Sequence, residues 1–121
     1  MKTKFTEGII LHITSLEDWL QALEDGVYRA DSLSSDGFIH CSRPDQVLQV
    51  ANTWFRGKAG LVLLCINRNQ VAAPIRDENL EGGKDLFPHI YGSLNLDAIR
   101  QVVNFPPDPD GEFELPGELS G

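Results

Sequence analysis

The sequence contains little cysteine and no paired cysteine motif. Its 121 residues include two cysteines, Cys41 and Cys65, and neither belongs to a Cys-x-x-Cys motif. Such motifs mark redox centres, zinc sites and disulfide frameworks, so the sequence argues against all three. Both cysteines fall in strand-like apolar segments, and we interpret them as buried thiols in a reducing compartment.

Basic residues and extended apolar stretches are also scarce. The chain has 10 Lys and Arg against 18 Asp and Glu, a formal net charge of -8. A chain of this charge repels polyphosphate at long range, so binding of extended nucleic acid is not expected. No stretch approaches the ~20 apolar residues of a membrane-spanning helix, and the run after the N-terminus is too short for a signal sequence. We therefore predict a cytoplasmic protein with no membrane partner.

Length and composition are typical of one globular domain. The chain is 41% hydrophobic and 23% charged, which is ordinary for a folded protein. A chain of this length buries about two thirds of its unfolded surface, enough for one sizeable core. No repeat or linker divides the sequence. We predict a single domain over residues 1–121 with a loosely ordered tail from about residue 117, and the oligomeric state stays open.

Hydrophobic patterning predicts an α+β fold with two main helices near the N-terminus. Apolar, β-branched runs predict strands at 8–14, 37–41, 60–66 and 101–105, with weaker extended segments at 27–29, 71–78, 85–91 and 112–116. Helical spacing of apolar residues predicts one helix over 16–24 and another through Val47 and Trp54. Ser15 and Ser42 are the expected N-caps, a helical turn is expected after Asn95, and 30–36 is expected to be a loop.

The histidines all fall in predicted strands. They are His12, His40 and His89, each followed two residues later by a hydroxyl-bearing residue, Thr14, Ser42 and Tyr91. Strand ends that lead into loops are where binding groups collect, so we hypothesise that the three imidazoles face one shared ligand pocket. A strand histidine is more often structural than functional, and that alternative stays open. None of the three has the short spacing of a metal-binding pair, so no metal site is predicted.

Two further segments are candidate ligand contacts. Ser42 and Arg43 stand at a predicted helix start, where backbone N–H groups and a guanidinium can hold an anion; plain capping with a solvated arginine is the alternative. His89 and Tyr91 share one strand face by alternation, and such a pair can stack on and hydrogen-bond a flat polar ring; aromatic core contacts are the alternative. The acidic residues before this segment include Glu78, which is either a catalytic carboxylate or a solvated one.

Four motifs together resemble a bacterial family catalogued as domain of unknown function 952. They are Leu11-His12-Ile13-Thr14, Gly26-Val27-Tyr28, Asp36-Gly37-Phe38-Ile39-His40-Cys41-Ser42 and Phe87-Pro88-His89-Ile90-Tyr91-Gly92-Ser93-Leu94. The resemblance extends over about residues 9–115. It implies a fold similar to that of the ADP-ribosyltransferases, with split mixed sheets around an NAD-binding cleft.

The same resemblance implies roles for individual residues. His12 matches a first-strand histidine that holds a ribose, and His40 matches a nicotinamide-packing position if the strand register shifts from Ile39. The glutamate that steadies the ribose cation would fall near His89, where no carboxylate stands, and the family's acidic position matches Glu78 on another segment. The departure puts transferase chemistry in question.

The resulting prediction is an uncharacterised ADP-ribosyltransferase-like protein that binds or cleaves NAD or a related nucleotide. No cofactor is required. His12, His40 and Glu78 are the predicted catalytic residues, and the predicted ligand contacts are Thr14, Ser42, Arg43, His89 and Tyr91. The alternatives are a non-catalytic module that binds a small metabolite and a protein-interaction domain.

Overall fold

Three small antiparallel sheets organise the part of the chain that the structure describes. A computed structural model describes residues 8–80 and 83–120. The elements in chain order are β1 (Ile9–Ser15), α1 (Leu16–Asp25), β2 (Val27–Tyr28), α2 (Ser32–Ser35), β3 (Ile39–His40), α3 (Val47–Trp54), β4 (Leu61–Asn67), β5 (Ile75–Glu78), β6 (Phe87–Ile90), β7 (Leu94–Asn95), β8 (Ile99–Asn104) and α4 (Gly117–Ser120). Short 3-10 turns follow β4 at Arg68–Gln70 and β7 at Leu96–Ala98. The predicted α+β class is confirmed.

The central sheet has the strand order β1-β4-β8 and is covered on both faces. Alternation along β4 sends Leu63 and Cys65 into a core shared with Val47 of α3, while Leu64 and Ile66 enter a second core. Burial on both faces explains why β1 and β4 are nearly continuous apolar runs rather than alternating ones. His12 and Thr14 project on the side of the second core by the same alternation.

A second sheet, of strand order β3-β6-β5, separates apolar from polar side chains. Ile90 pairs with Ile39 on one side and Ile75 on the other, and these side chains form one face directed to the core. The next register position aligns His89 with His40 and Arg76. Cross-strand partners share a face, so one residue step places both imidazoles together on the face opposite the isoleucines.

Helix α1 begins and ends where local signals place it. The Ser15 hydroxyl accepts a hydrogen bond from the Asp18 N–H at 3.0 Å, and Gly26 closes the helix at φ 77°. A left-handed C-terminal residue favours glycine, which has no Cβ to clash. Leu20 and Leu23 on this helix are about half exposed, at 51% and 52%. The amphipathic pattern therefore predicted the helix correctly but not the burial of its whole apolar stripe.

The predicted start of the second long helix is wrong. Ser42 pairs with Leu11 through two backbone hydrogen bonds of 2.7 and 2.8 Å, residues 44–46 form a turn, and α3 begins only at Val47. Ser42 does not cap a helix, although Pro44 follows it, because pairing with β1 satisfies the backbone N–H and carbonyl of Ser42. The expected loop over 30–36 also contains the short helix α2.

The mixed sheets and the strand over 112–116 are two further expectations that the structure corrects. The described strand pairs are all antiparallel, so the mixed sheets implied by the ADP-ribosyltransferase resemblance are not observed. Residues 112–116 form no strand; instead Phe113 is buried, and its backbone exchanges hydrogen bonds with the Asn52 side chain. The tail from 117 contains α4, whose Leu119 is buried in the first core.

Candidate functional site

All three histidines line one cleft of about 430 Å³, called the histidine cleft below. Its apolar lining residues are Leu11, Ile13, Val50, Trp54, Phe55 and Phe87. Its remaining lining residues are His12, Ser32, His40, Cys41, Ser42 and His89. The volume lies within the range of small-molecule sites, which combine apolar walls with a few polar groups. Four of the eight predicted site residues therefore line the same cleft: His12, His40, Ser42 and His89.

His12 is buried, and both of its ring nitrogens are hydrogen-bonded inside the protein. Nδ1 lies 2.6 Å from the backbone carbonyl oxygen of His40, and Nε2 lies 2.7 Å from the Tyr28 hydroxyl. A carbonyl only accepts, so Nδ1 carries the proton and Nε2 accepts from Tyr28. Burial lowers the pKa of His12 to about 4, and the ring is neutral at pH 7.

Thr14 and Tyr28 complete this network behind the cleft. The Tyr28 hydroxyl lies 3.0 Å from Thr14 Oγ1, and since Tyr28 already donates to His12, the threonine hydroxyl is the donor here. Burial raises the pKa of Tyr28 to about 12, which keeps the phenol protonated. Thr14 thus supports Tyr28 and does not line the cleft. The sequence pattern did not single out Tyr28 as a partner of His12, because the two are joined only through tertiary structure.

His40 and His89 form a ring pair opposite one another in the β3–β6 register. Their ring centroids are 5.4 Å apart with an interplanar angle of 74°. Phe38 packs against both rings, at 4.6 Å from His40 and 4.1 Å from His89. A buried aromatic in contact with both imidazoles fixes their spacing. Phe38 is a site residue that the sequence analysis did not single out.

Glu78 reaches His89 from the neighbouring strand. Its Oε1 accepts hydrogen bonds from the Tyr91 hydroxyl at 2.5 Å and from His89 Nδ1 at 3.0 Å. These bonds, Tyr91 first and His89 second, hold the pKa of Glu78 below its usual range. The same contact with the carboxylate raises the pKa of Tyr91. Glu78, His89 and Tyr91 thus form one hydrogen-bonded group, and the carboxylate is supplied by β5, not by the strand that carries His89.

Asp36 gives His40 a similar partner. Asp36 Oδ2 lies 2.8 Å from His40 Nε2, and both side chains are 45% exposed. Asp36 precedes His40 by four residues, a spacing that could have been noticed in the sequence.

Trp54 was predicted as part of the apolar stripe of α3, yet its side chain is 74% exposed at the rim of the cleft. Such exposure of tryptophan beside a pocket is a signal that only the structure provides.

Arg43 does not line the histidine cleft. Its guanidinium donates to Asp45 at 3.1 Å and to the Leu86 carbonyl oxygen at 3.0 Å, and its backbone N–H donates to Gln46 Oε1 at 2.9 Å. The anion site predicted from a helix start at Ser42 loses its basis, because no helix begins there and Arg43 is engaged elsewhere. Ser42 itself is buried and remains among the residues that line the cleft.

Cysteine and metal chemistry find no support among the described residues. Burial raises the pKa of the Cys41 thiol well above its ordinary value, so the sulfur stays protonated. In residues 8–80 and 83–120, no three side chains of His, Cys, Asp and Glu are grouped to hold a metal ion. None of the helices in this part of the chain has the length and apolar character needed to cross a bilayer.

A known protein family matches most of this chain. The family model described as "Protein of unknown function (DUF952)" matches residues 13–102. The match begins directly after His12 and includes His40 and the hydrogen-bonded group of Glu78, His89 and Tyr91. The chain belongs to the DUF952 family. The matched residues include most of those that line the cleft, so the cleft is formed largely within the family domain. Comparison with curated proteins found no match.

Solved structures of another protein show the same fold. The crystal structure of protein CC0527 from Caulobacter crescentus is 32% identical, covers 93% of this chain and 99% of its own, and superposes with a TM-score of 0.84. The solution NMR structure of CC0527 is also 32% identical, covers 93% of this chain and 97% of its own, with a TM-score of 0.81.

Proposed function

We propose that this protein binds a small organic molecule with a flat polar ring, NAD or a related nucleotide or nucleoside, in the histidine cleft. One observation carries the proposal: three imidazoles and a serine hydroxyl line the same cleft as Trp54, Phe55 and Phe87. Aromatic walls stack on a planar ring, and imidazole and hydroxyl groups hydrogen-bond its edge or an attached sugar.

The charge around the cleft favours the ring and sugar over phosphate as the enclosed part. None of the described residues that line it is Lys or Arg. Arg43 is engaged with Asp45, and Asp36 and Glu78 contribute negative charge beside the paired imidazoles. An anion buried without a cationic partner is costly, so the phosphates of a nucleotide would extend out of the cleft.

An ADP-ribosyltransferase-like reaction is the catalytic form of this proposal. It is supported by Glu78, whose carboxylate lies 3.0 Å from His89 near the place where such an enzyme needs one. A carboxylate there can stabilise an oxocarbenium-like ribose. Against it, Glu78 does not line the cleft, whereas His89, to which it is hydrogen-bonded, does.

A non-catalytic binding module is the second candidate, and His12 favours it. Both of its ring nitrogens bond to protein groups, His40 and Tyr28, so holding a ribose hydroxyl would require breaking one of these bonds. In this arrangement His12 holds the backbone carbonyl of His40. Both candidates share the same ligand chemistry and differ only in turnover.

Binding is tested by thermal shift and isothermal titration calorimetry with NAD, ADP-ribose, adenosine and nicotinamide. We expect at least one of these to raise Tm, and Trp54→Ala to weaken its binding about five- to tenfold, because ring stacking is worth about 1–1.5 kcal/mol. Leu20→Ala is the matched control, since it removes an exposed apolar side chain outside the cleft. If no compound raises Tm, or if Trp54→Ala and Leu20→Ala bind equally well, the proposal is wrong.

A further inference from the structure

The hydrogen bond to Glu78 fixes the proton position on His89. A carboxylate only accepts, so His89 Nδ1, 3.0 Å from Glu78 Oε1, carries the proton. In the neutral ring Nε2 then has a free lone pair, and none of the described residues donates a hydrogen bond to it. His89 lines the histidine cleft, so this lone pair is the part of the ring available to a bound molecule.

His40 is held in the same way by a different atom. Its Nε2 donates to Asp36 Oδ2 at 2.8 Å, which leaves Nδ1 as the remaining proton-exchanging atom. The side chain is 45% exposed, so solvent reaches the ring. Each imidazole therefore has one nitrogen bound by a carboxylate and one nitrogen left over, an arrangement that orients both rings for proton transfer.

Both rings also stand at the boundary of a second cavity. A neighbouring cavity of about 320 Å³ is lined by Asp36, Phe38, His40, Leu80 and His89. His40 and His89 line this cavity and the histidine cleft alike. A molecule with a ring in the cleft and a second group in the neighbouring cavity would place its connecting bond beside the two imidazoles.

We infer that His40 and His89 are an acid–base pair that hydrolyses the bond between the two parts of such a ligand. This inference rests on the proposed function and specifies its substrate class: an uncharged nucleoside-like compound whose leaving base must take up a proton. The absence of Lys and Arg among the described lining residues favours such a compound over one with phosphate in the cleft. The centroid separation of 5.4 Å leaves both rings within reach of one scissile bond.

The proposed step balances without a cofactor. His89 Nε2 removes a proton from water as the water oxygen bonds to the sugar carbon. The carbon–nitrogen bond breaks, its electron pair goes to the base nitrogen, and protonated His40 delivers a proton to the base. His89 then returns its proton to solvent, and His40 takes one up. Glu78 and Asp36 are positioning residues, and the Glu78 carboxylate also stabilises the His89 imidazolium as it forms.

The experiment measures base release from adenosine, inosine and NAD by liquid chromatography across pH 5–9, beside the thermal shift that each compound causes. We expect release from a nucleoside with a bell-shaped pH profile. His40→Gln and His89→Gln should each lower kcat about 100-fold or more and remove one limb of the bell. Glu78→Gln and Asp36→Asn should lower kcat with little change in KM, while Leu20→Ala should match the parent protein.

Nitrogen-15 NMR of the parent protein gives a test that needs no turnover. We expect His89 to be protonated on Nδ1 at neutral pH, and Glu78→Gln to shift its ring toward a mixture of tautomers. A ring protonated on Nε2 instead would overturn the inference. Two other results would overturn the inference and leave the binding proposal standing. In the first, a compound raises Tm but none of adenosine, inosine and NAD releases its base. In the second, both His40→Gln and His89→Gln retain base release. If none of the three raises Tm, and ADP-ribose and nicotinamide also fail to raise it, the proposed function itself fails.

Discussion

Buried His12 makes the stability of this protein depend on pH in a defined window. Burial lowers the pKa of His12 from 6.5 to about 4 in the folded state. The unfolded chain therefore binds more protons than the folded one between these two values, so the free energy of unfolding falls as pH drops through the window. Below pH 4 the loss from this group is complete.

The size of the effect follows from the pKa values. Each tenfold change in proton affinity is worth about 1.4 kcal/mol, so lowering the pKa from 6.5 to about 4 corresponds to about 3 kcal/mol. A domain of this size has a total stability of about 5–15 kcal/mol, so acidification through this window removes a substantial part of it. Asp77 and Glu78, whose pKa values are lowered by hydrogen bonds, add their own acid sensitivity at lower pH.

The contribution of His12 is isolated by comparing variants in urea unfolding at pH 7, 6, 5 and 4. His12→Asn keeps an N–H near the His40 carbonyl but cannot titrate, so its stability should fall by about 3 kcal/mol less than the parent's over this range. Tyr28→Phe removes the hydroxyl that donates to His12 but retains the imidazole. It should therefore keep the parent's pH dependence. Parallel profiles for the parent and His12→Asn would refute the reasoning.

Three further outcomes follow from the packing. Phe38→Ala should lower the free energy of unfolding by about 3 kcal/mol, because a buried ring that stacks on His89 is lost, as measured by denaturant titration. Asn52→Ala should cost about 1–2 kcal/mol and speed hydrogen exchange of the Phe113 amide, which donates to Asn52 Oδ1 at 2.7 Å. The Cys41 thiol, buried and with a raised pKa, should react with a disulfide reagent only on unfolding.

Local signals were sufficient for much of the secondary structure. The apolar runs of β1 and β4 and the Ser15 and Gly26 caps of α1 predicted those elements because each signal acts within a few residues. Ser42 failed as a cap because its backbone bonds to Leu11, a partner 31 positions earlier in the chain. A local propensity is weak against two backbone hydrogen bonds in a buried sheet.

In the candidate site, too, local pattern predicted some contacts, and strand pairing decided the others. Alternation within one strand was enough to predict that His89 and Tyr91 share a face, and both donate to Glu78. That Glu78 would be the acceptor depends on the β5–β6 pairing, which brings its carboxylate across from the neighbouring strand. Phe38 was missed because its role is to contact two rings from different strands.

The sequence by itself determined the α+β class, the strands that carry the histidines and the face that each side chain occupies, since these depend on periodicity along the chain. The tertiary structure decided which faces meet. Register places His40 opposite His89 although 49 positions separate them, and it puts the His40 carbonyl against His12. Strand register is fixed by long-range pairing and by the burial of the opposite face, where Ile39 and Ile90 are fully enclosed.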